Sequence, residues 1–229
     1  MMTIADRLAQ IQQIITNTAE SCQRSPKDIH LLAVSKGQPA SAIREAFAAG
    51  LTSFGENYLQ EAQMKIQDLA DLAIDWHFIG PIQSNKTAGI AQNFSWVHSL
   101  DREKIAQDLA NNRPAKMLPL NICLQVNLDD EPTKSGVSMQ HLAKLALVVS
   151  QLPRLQLRGL MAIPKPLAGE QEQYESLRRL AELLNFINKE LNLSMDTLSM
   201  GMSEDLIAAI RAGSTILRIG RAIFGERRS

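Results

Sequence analysis

The sequence has little that staples or tethers a chain. Cysteine occurs twice in 229 residues, at Cys22 and Cys123. The two are far apart and in no Cys-x-x-Cys spacing, which excludes a disulfide framework and a cysteine-rich zinc site and fits a reducing, cytoplasmic setting. Excess charge is also missing: 24 Lys+Arg stand against 24 Asp+Glu, with no basic stripe to draw in nucleic acid. No apolar run approaches the ~20 residues of a membrane span. The histidines, at 30, 77, 98 and 141, show no metal-ligand spacing. A Gly-x-Ser-x-Gly elbow, a Pro/Gly/Ser-rich linker and a low-complexity tract are absent, so the expectation is one domain over residues 1–229.

The N-terminus does not read as a targeting segment, because Asp6 and Arg7 interrupt it early. Ile4, Leu8, Ile11 and Ile15 recur at steps of four, three and four, which is one face of an amphipathic helix. With no visible route to secretion, the sequons at Asn93 and Asn192 carry no information.

After this helix, short apolar runs alternate with longer stretches of helical spacing. Strands are expected at 30–35, 52–55, 75–79, 96–99, 120–127, 155–160, 196–200 and 215–219. Helices are expected after each: one between Pro39 and Gly50, then 58–70, from about Ser84, after Asp101 as N-cap, 138–152, 170–190, 203–212, and a short tail. A polar loop, Asp129-Asp130-Glu131-Pro132, follows the fifth strand. Eight strand–helix units make a (β/α)8 barrel, for which ~250 residues are usual. An open doubly wound sheet also alternates strand and helix, but it runs to fewer strands, and no Gly-x-Gly-x-x-Gly follows the first one.

In a barrel, chemistry gathers at the carboxyl ends of the strands. The residues there are Lys36, Asn57, Gly80, Ser99, Asn127, Met161, Ser199 and Arg218. Lys36 closes a buried apolar run. It either snorkels into water or faces the mouth, where partial desolvation favours a neutral amine fit for Schiff-base chemistry. Two Gly-bearing turns follow the last two strands, Ser199-Met200-Gly201-Met202-Ser203 and Arg218-Ile219-Gly220-Arg221. Such turns bring backbone N–H groups to an anion, and barrels hold phosphate there; they are also ordinary turn chemistry. Glu204 and Asp205 would repel an anion unless turned away. Gly80 to Thr87 nearly spells a P-loop, but Asn85 stands where the second glycine belongs and Pro81 removes an N–H. Met200 and Met202 could wall a flat ring or fill core.

Together these residues point to a family. Val34-Ser35-Lys36, Phe54-Gly55-Glu56-Asn57-Tyr58, and His77-Phe78-Ile79-Gly80 with Gln83 and Asn85-Lys86 resemble the YggS/PROSC family of pyridoxal phosphate homeostasis proteins. So do Gly159-Leu160-Met161, Leu198 to Asp205, and Arg218-Ile219-Gly220 with Ile223-Phe224-Gly225, in order from about residue 3 to 226. The resemblance implies an α/β fold, a single (β/α)8 TIM barrel with an added N-terminal helix, like fold-type III pyridoxal phosphate proteins. It implies pyridoxal 5′-phosphate held on Lys36 as a Schiff base. Ser199, by its hydroxyl, and Gly201 and Met202, by backbone N–H, would meet the phosphate on one side, with Gly220 and Arg221 on the other. Arg218 would face the ring nitrogen, and Asn57 and Met161 would line the pocket. No catalytic residue and no metal is implied.

The racemases and decarboxylases of this fold add a β-domain and a partner subunit that supply acid–base groups. A chain ending at Ser229 is therefore expected to bind without turnover, in homeostasis of the vitamin B6 pool, as a cytoplasmic monomer. Pyridoxal-phosphate-dependent apoenzymes are the possible recipients, and nucleic acid and membrane are not partners. The alternative is a fold-type III amino acid racemase; a third reading is a barrel without ligand that acts through protein contacts.

Overall fold

A computed structural model describes residues 2–129 and 134–225. Helix α1 (Ile4–Ser21) comes first. Strands and helices then alternate: β1 (His30–Val34), α2 (Ala40–Ala48), β2 (Ser53–Glu56), α3 (Leu59–Asp68), β3 (Asp75–Phe78), α4 (Thr87–Asn93), β4 (Trp96–Leu100) and α5 (Glu103–Asn112). The second half continues with β5 (Leu120–Gln125), α6 (Met139–Gln151), β6 (Leu155–Met161), α7 (Glu170–Leu191), β7 (Thr197–Ser199), α8 (Leu206–Arg211), β8 (Ile216–Ile219) and α9 (Arg221–Phe224). The strands close in sequence order into a parallel barrel, and β1 returns to β8 with His30 opposite Ile216 and Ala33 opposite Ile219. Parallel strands covered on both faces read as continuous apolar runs, which is why Leu31-Leu32-Ala33 and Ile122-Cys123-Leu124 are legible as strands and lie buried.

Helix α1 opens with a capping box between Thr3 and Asp6, which satisfies two N-terminal donors reciprocally. Its apolar face, Ile4, Leu8, Ile11 and Ile15, is buried as the spacing predicts, at about 1.5–3 kcal/mol per large side chain. Arginines then lash this segment to the end of the chain. Arg7 Nε donates to Ile223 O (2.6 Å), and Arg24 donates to Ile210 O (2.6 Å) and Ser214 O (2.7 Å). The Arg24 contacts hold the segment that leads into β8, and the Arg7 contact from α1 holds α9, which follows it.

Two local expectations are corrected. Asp101 is not the N-cap of α5; Arg102 is, and Asp101 instead takes hydrogen bonds from Arg102 and the Gly136 backbone. Helix α8 begins at Leu206 rather than Ser203, because residues 203–205 form a turn in which the Asp205 carboxylate accepts the Met202 N–H at 2.5 Å. Of the polar loop expected at 129–132, residues 130–132 lie outside the described residues. No helix among the described residues is long and apolar enough to cross a membrane.

Candidate functional site

The carboxyl ends of the strands surround a cavity of about 610 Å³, within the size range of small-molecule sites. Its wall includes Lys36, Asn57, Met202, Arg218, Gly220 and Arg221, with Val34 and Ile79 from the strand ends. Six of the nine expected site residues are thus brought together from β1, β2, β7 and β8. The other three stand beneath the floor. Met161, Ser199 and Gly201 are all buried and do not line the cavity. Ile163, exposed after β6, and Ser203 also line the cavity.

Lys36 is half-buried, and the backbone on both sides of it is fixed by a buried ionic cluster. Ser35, just before it, donates its hydroxyl to Glu56 Oε1 (2.6 Å) and accepts at its carbonyl from Lys65 Nζ (2.7 Å). Gly37, just after it, donates its N–H to Glu61 Oε1 (2.6 Å). Lys65 Nζ binds both carboxylates, Glu56 at 2.7 Å and Glu61 at 2.6 Å. Glu56 is fully buried; burial pushes its carboxyl above the ordinary range, and Lys65 and Ser35 pull it back only in part. Sequence reasoning missed Glu61 and Lys65 as parts of the site. Their one signal is the i,i+4 spacing on α3.

Asn57 is placed by a close backbone approach. A Cβ on Gly80 would lie 2.1 Å from the Asn57 carbonyl oxygen, so only glycine lets the β3–α4 turn pass there. The Asn57 Oδ1 atom is buried with no hydrogen-bond partner. A buried polar atom left unpaired costs about 1–3 kcal/mol, and the residue that carries it lines the cavity.

The floor is cationic. Arg218, 5% exposed, donates Nη1 to Ser199 Oγ (2.9 Å) and Nη2 to the Ala162 carbonyl (3.0 Å). Burial lowers its pKa to about 10, with Asp205 opposing that shift, so the guanidinium stays charged at neutral pH. Gly201 holds φ +97, and a Cβ there would sit 2.5 Å from Ala209 Cβ and 2.8 Å from Leu217 Cδ2. Its carbonyl accepts the Arg218 N–H at 3.0 Å, joining the turns after β7 and β8.

Neither acid that threatened an anion points freely into the cavity. Asp205 accepts the Met202 N–H, and burial raises its carboxyl. Glu204 pairs with Arg221 across the rim. The wall therefore carries Lys36, Arg218 and Arg221 against Glu204 alone, a balance suited to a dianion. Among the described residues no cluster of His, Cys, Asp and Glu could hold a metal.

Comparison with known proteins agrees with this geometry. The model of the alanine racemase N-terminal domain matches residues 9–228. A pyridoxal phosphate homeostasis protein of Pseudomonas aeruginosa is 57% identical over 227 residues, covering 99% of this chain and 97% of that one. The structure of PipY from Synechococcus elongatus PCC7942 without pyridoxal phosphate superimposes with a TM-score of 0.86 at 36% identity, covering 97% of this chain and all of that one. PipY with pyridoxal phosphate bound gives 0.85 at 34% identity. Alanine racemase from Corynebacterium glutamicum shares the fold, with a TM-score of 0.72 at 15% identity over 98% of this chain and 62% of that one. Barrel, mouth and sequence agree, and the chain belongs to the pyridoxal phosphate homeostasis proteins, a family built on the alanine racemase N-terminal domain.

Proposed function

We propose that this chain holds pyridoxal 5′-phosphate in the barrel mouth and serves the homeostasis of that cofactor, without sustained turnover. The observation that carries the reading is the cavity itself. Lys36 at the end of β1, Asn57 at the end of β2 and the charged Arg218 of β8 converge on one space of about 610 Å³. The relationship to PipY, of which a structure with bound pyridoxal phosphate exists, supports it.

When bound, pyridoxal phosphate supplies an aldehyde carbon, a pyridine ring and a phosphate dianion. Lys36 offers the amine for the aldehyde, held on a backbone that Glu56, Glu61 and Lys65 fix on either side. Asn57 would line the pocket around the ring. Gly220, Arg221, Met202 and Ser203, which line the cavity beside the turns after β7 and β8, would hold the phosphate. For the Met202 N–H to serve an anion, Asp205 must release it. Arg218, a donor with no acceptor, keeps a facing ring nitrogen unprotonated and so denies the ring its strength as an electron sink. Ser199 acts by holding Arg218, and Met161 and Gly201 act as floor.

The expectation of weak turnover draws support from the wall. Among its described residues the only carboxylate is Glu204, tied to Arg221, so an acid–base partner opposite Lys36 is lacking. The reading extends to a cytoplasmic monomer of one domain, with apoenzymes as recipients.

The test is an absorbance spectrum of the fresh protein before and after borohydride. A yellow protein whose chromophore is trapped on Lys36, and lost in Lys36→Ala, is expected. Trapping on another lysine would refute the assignment. Amino acid α-proton exchange in deuterated water above that of free cofactor would instead make it an enzyme.

A further inference from the structure

Below the mouth, the barrel interior holds an arrangement that ligand binding at the rim does not explain. Five side chains from four strands, β3, β4, β7 and β8, are joined end to end along it. Asp75 Oδ2 lies 3.1 Å from His77 Nε2, and His77 Nδ1 lies 2.9 Å from His98 Nε2. His98 Nδ1 lies 2.7 Å from Ser199 Oγ, which accepts from Arg218 Nη1 at 2.9 Å. His77, His98, Ser199 and Arg218 are buried. The Asp75 side chain is 42% exposed and opens on a separate cavity of about 440 Å³, shared with His30, Trp96 and Arg158, at the amino ends of the strands.

The two ends settle every proton between them. A carboxylate only accepts and a guanidinium only donates. His77 must therefore carry its proton on Nε2, facing Asp75, and accept at Nδ1. That forces His98 to donate from Nε2 and accept at Nδ1. The Ser199 hydroxyl then donates to His98 while accepting from Arg218. Every link runs one way, from the cation to the carboxylate, with both imidazoles neutral and in the same tautomer. The opposite sense would set an unprotonated His77 Nε2 against the carboxylate, or require a buried imidazolium.

The surroundings keep the imidazoles neutral. His30 on β1 stacks on His77 at 6.1 Å, and Trp96 on β4 stacks on its other side at 5.5 Å, with the Arg158 guanidinium of β6 over Trp96 and paired to Asp196. Cys123 on β5 is buried, its thiol pushed up to about 12. Asp75 stays ionised: burial opposes its charge, but hydrogen bonds from His77 and Ser95 prevail. Burial first, then electrostatic coupling with His77, Arg218 and His30, which opposes a second positive charge here, holds His98 well below the usual histidine range.

We propose that His77 and His98 are positioning residues for the ligand in the mouth, fixing the Arg218 guanidinium at the cavity floor through Ser199. Its effect on ligand binding rests on the reading that pyridoxal phosphate occupies the mouth; the chain itself does not. A plain packing role would need neither a single tautomer nor any response to ligand.

The test uses the full chain labelled with 15N-histidine. Without ligand, two-bond correlation spectra are expected to show His77 and His98 as neutral Nε2–H tautomers between about pH 6 and 8; an Nδ1–H tautomer or an imidazolium on either overturns the proposal. Addition of pyridoxal phosphate is expected to move the His98 Nδ1 resonance, and an unmoved resonance in ligand-saturated protein overturns it. His98→Leu is expected to weaken cofactor affinity about tenfold or more and to alter the pH profile of the bound chromophore. His98→Gln, whose amide both accepts and donates, is expected to restore most of both. Wild-type affinity and profile in His98→Leu would refute the positioning role. A wild-type protein that takes up no cofactor would refute the proposed function while the tautomer measurement still judged the chain.

Discussion

Lys65→Met isolates the cluster that brackets Lys36. In the native protein Lys65 Nζ joins the Ser35 carbonyl to Glu56 and Glu61, with side chains 7%, 0% and 26% exposed for Lys65, Glu56 and Glu61. Removing one partner of a buried pair leaves an uncompensated charge and costs about 3–5 kcal/mol. Glu56 bears most of that, because its Oε2 already has no partner. At ~2–4 °C per kcal/mol for a chain of this size, the midpoint of thermal unfolding should fall by about 6–20 °C at neutral pH. The pH dependence has a definite sign. Glu56 in the variant is a buried carboxyl raised above its unfolded value, so protonation favours the folded state. The deficit relative to wild type is therefore largest at neutral pH and shrinks as pH falls toward the ordinary value of 4.5. Melting curves measured across that range decide the matter. A drop under about 3 °C, or a deficit that does not shrink on acidification, would show that Glu56 does not depend on Lys65. If the cluster also fixes Lys36, borohydride trapping should slow in the variant even where it is folded.

Arg218→Gln should weaken cofactor retention through the loss of hydrogen bonds involving a charged group, at about 1.5–3 kcal/mol, read by equilibrium dialysis; unchanged affinity would show the floor is misplaced. Gly201→Ala should destabilise by about 1–3 kcal/mol from overpacking against Ala209 and Leu217, with strain at φ +97 added, measured by urea unfolding. In the native protein a thiol reagent should modify Cys22 rapidly, and Cys123 only on unfolding, because Cys123 is buried with its thiol pushed up to about 12.

The barrel was legible because period survives in one dimension: each buried strand is a short apolar run, and each helix carries a stripe. Boundaries were less so where side chains compete with the helix. Asp205 turns back onto the Met202 N–H and delays α8. Lys36 and the glycine turns were readable because strand ends and chain breaks mark them. Ser199 ends a three-residue strand that does not reveal in the sequence which way its last side chain faces; in the structure it meets Arg218 and His98. The histidine chain was invisible. Its links span 21 and 101 residues, and only closure of the barrel brings them together. The sequence shows Lys65 and Glu61 only as an i,i+4 pair on a helix; Glu56, nine residues before Lys65, makes the pair part of a buried cluster.

The Glu204–Arg221 pair has a bearing on traffic. Its two side chains, 68% and 71% exposed, span the lip between the turns after β7 and β8. Surface pairs of this kind are worth roughly 0–1 kcal/mol, so parting them slows an incoming anion by no more than about fivefold. Added salt loosens this clasp and also dulls the pull of the cationic floor. The two influences oppose each other, and loading rates should vary less steeply with ionic strength than the charge of the floor alone would dictate. So slight a catch would hinder an anion leaving the mouth no more than one entering it.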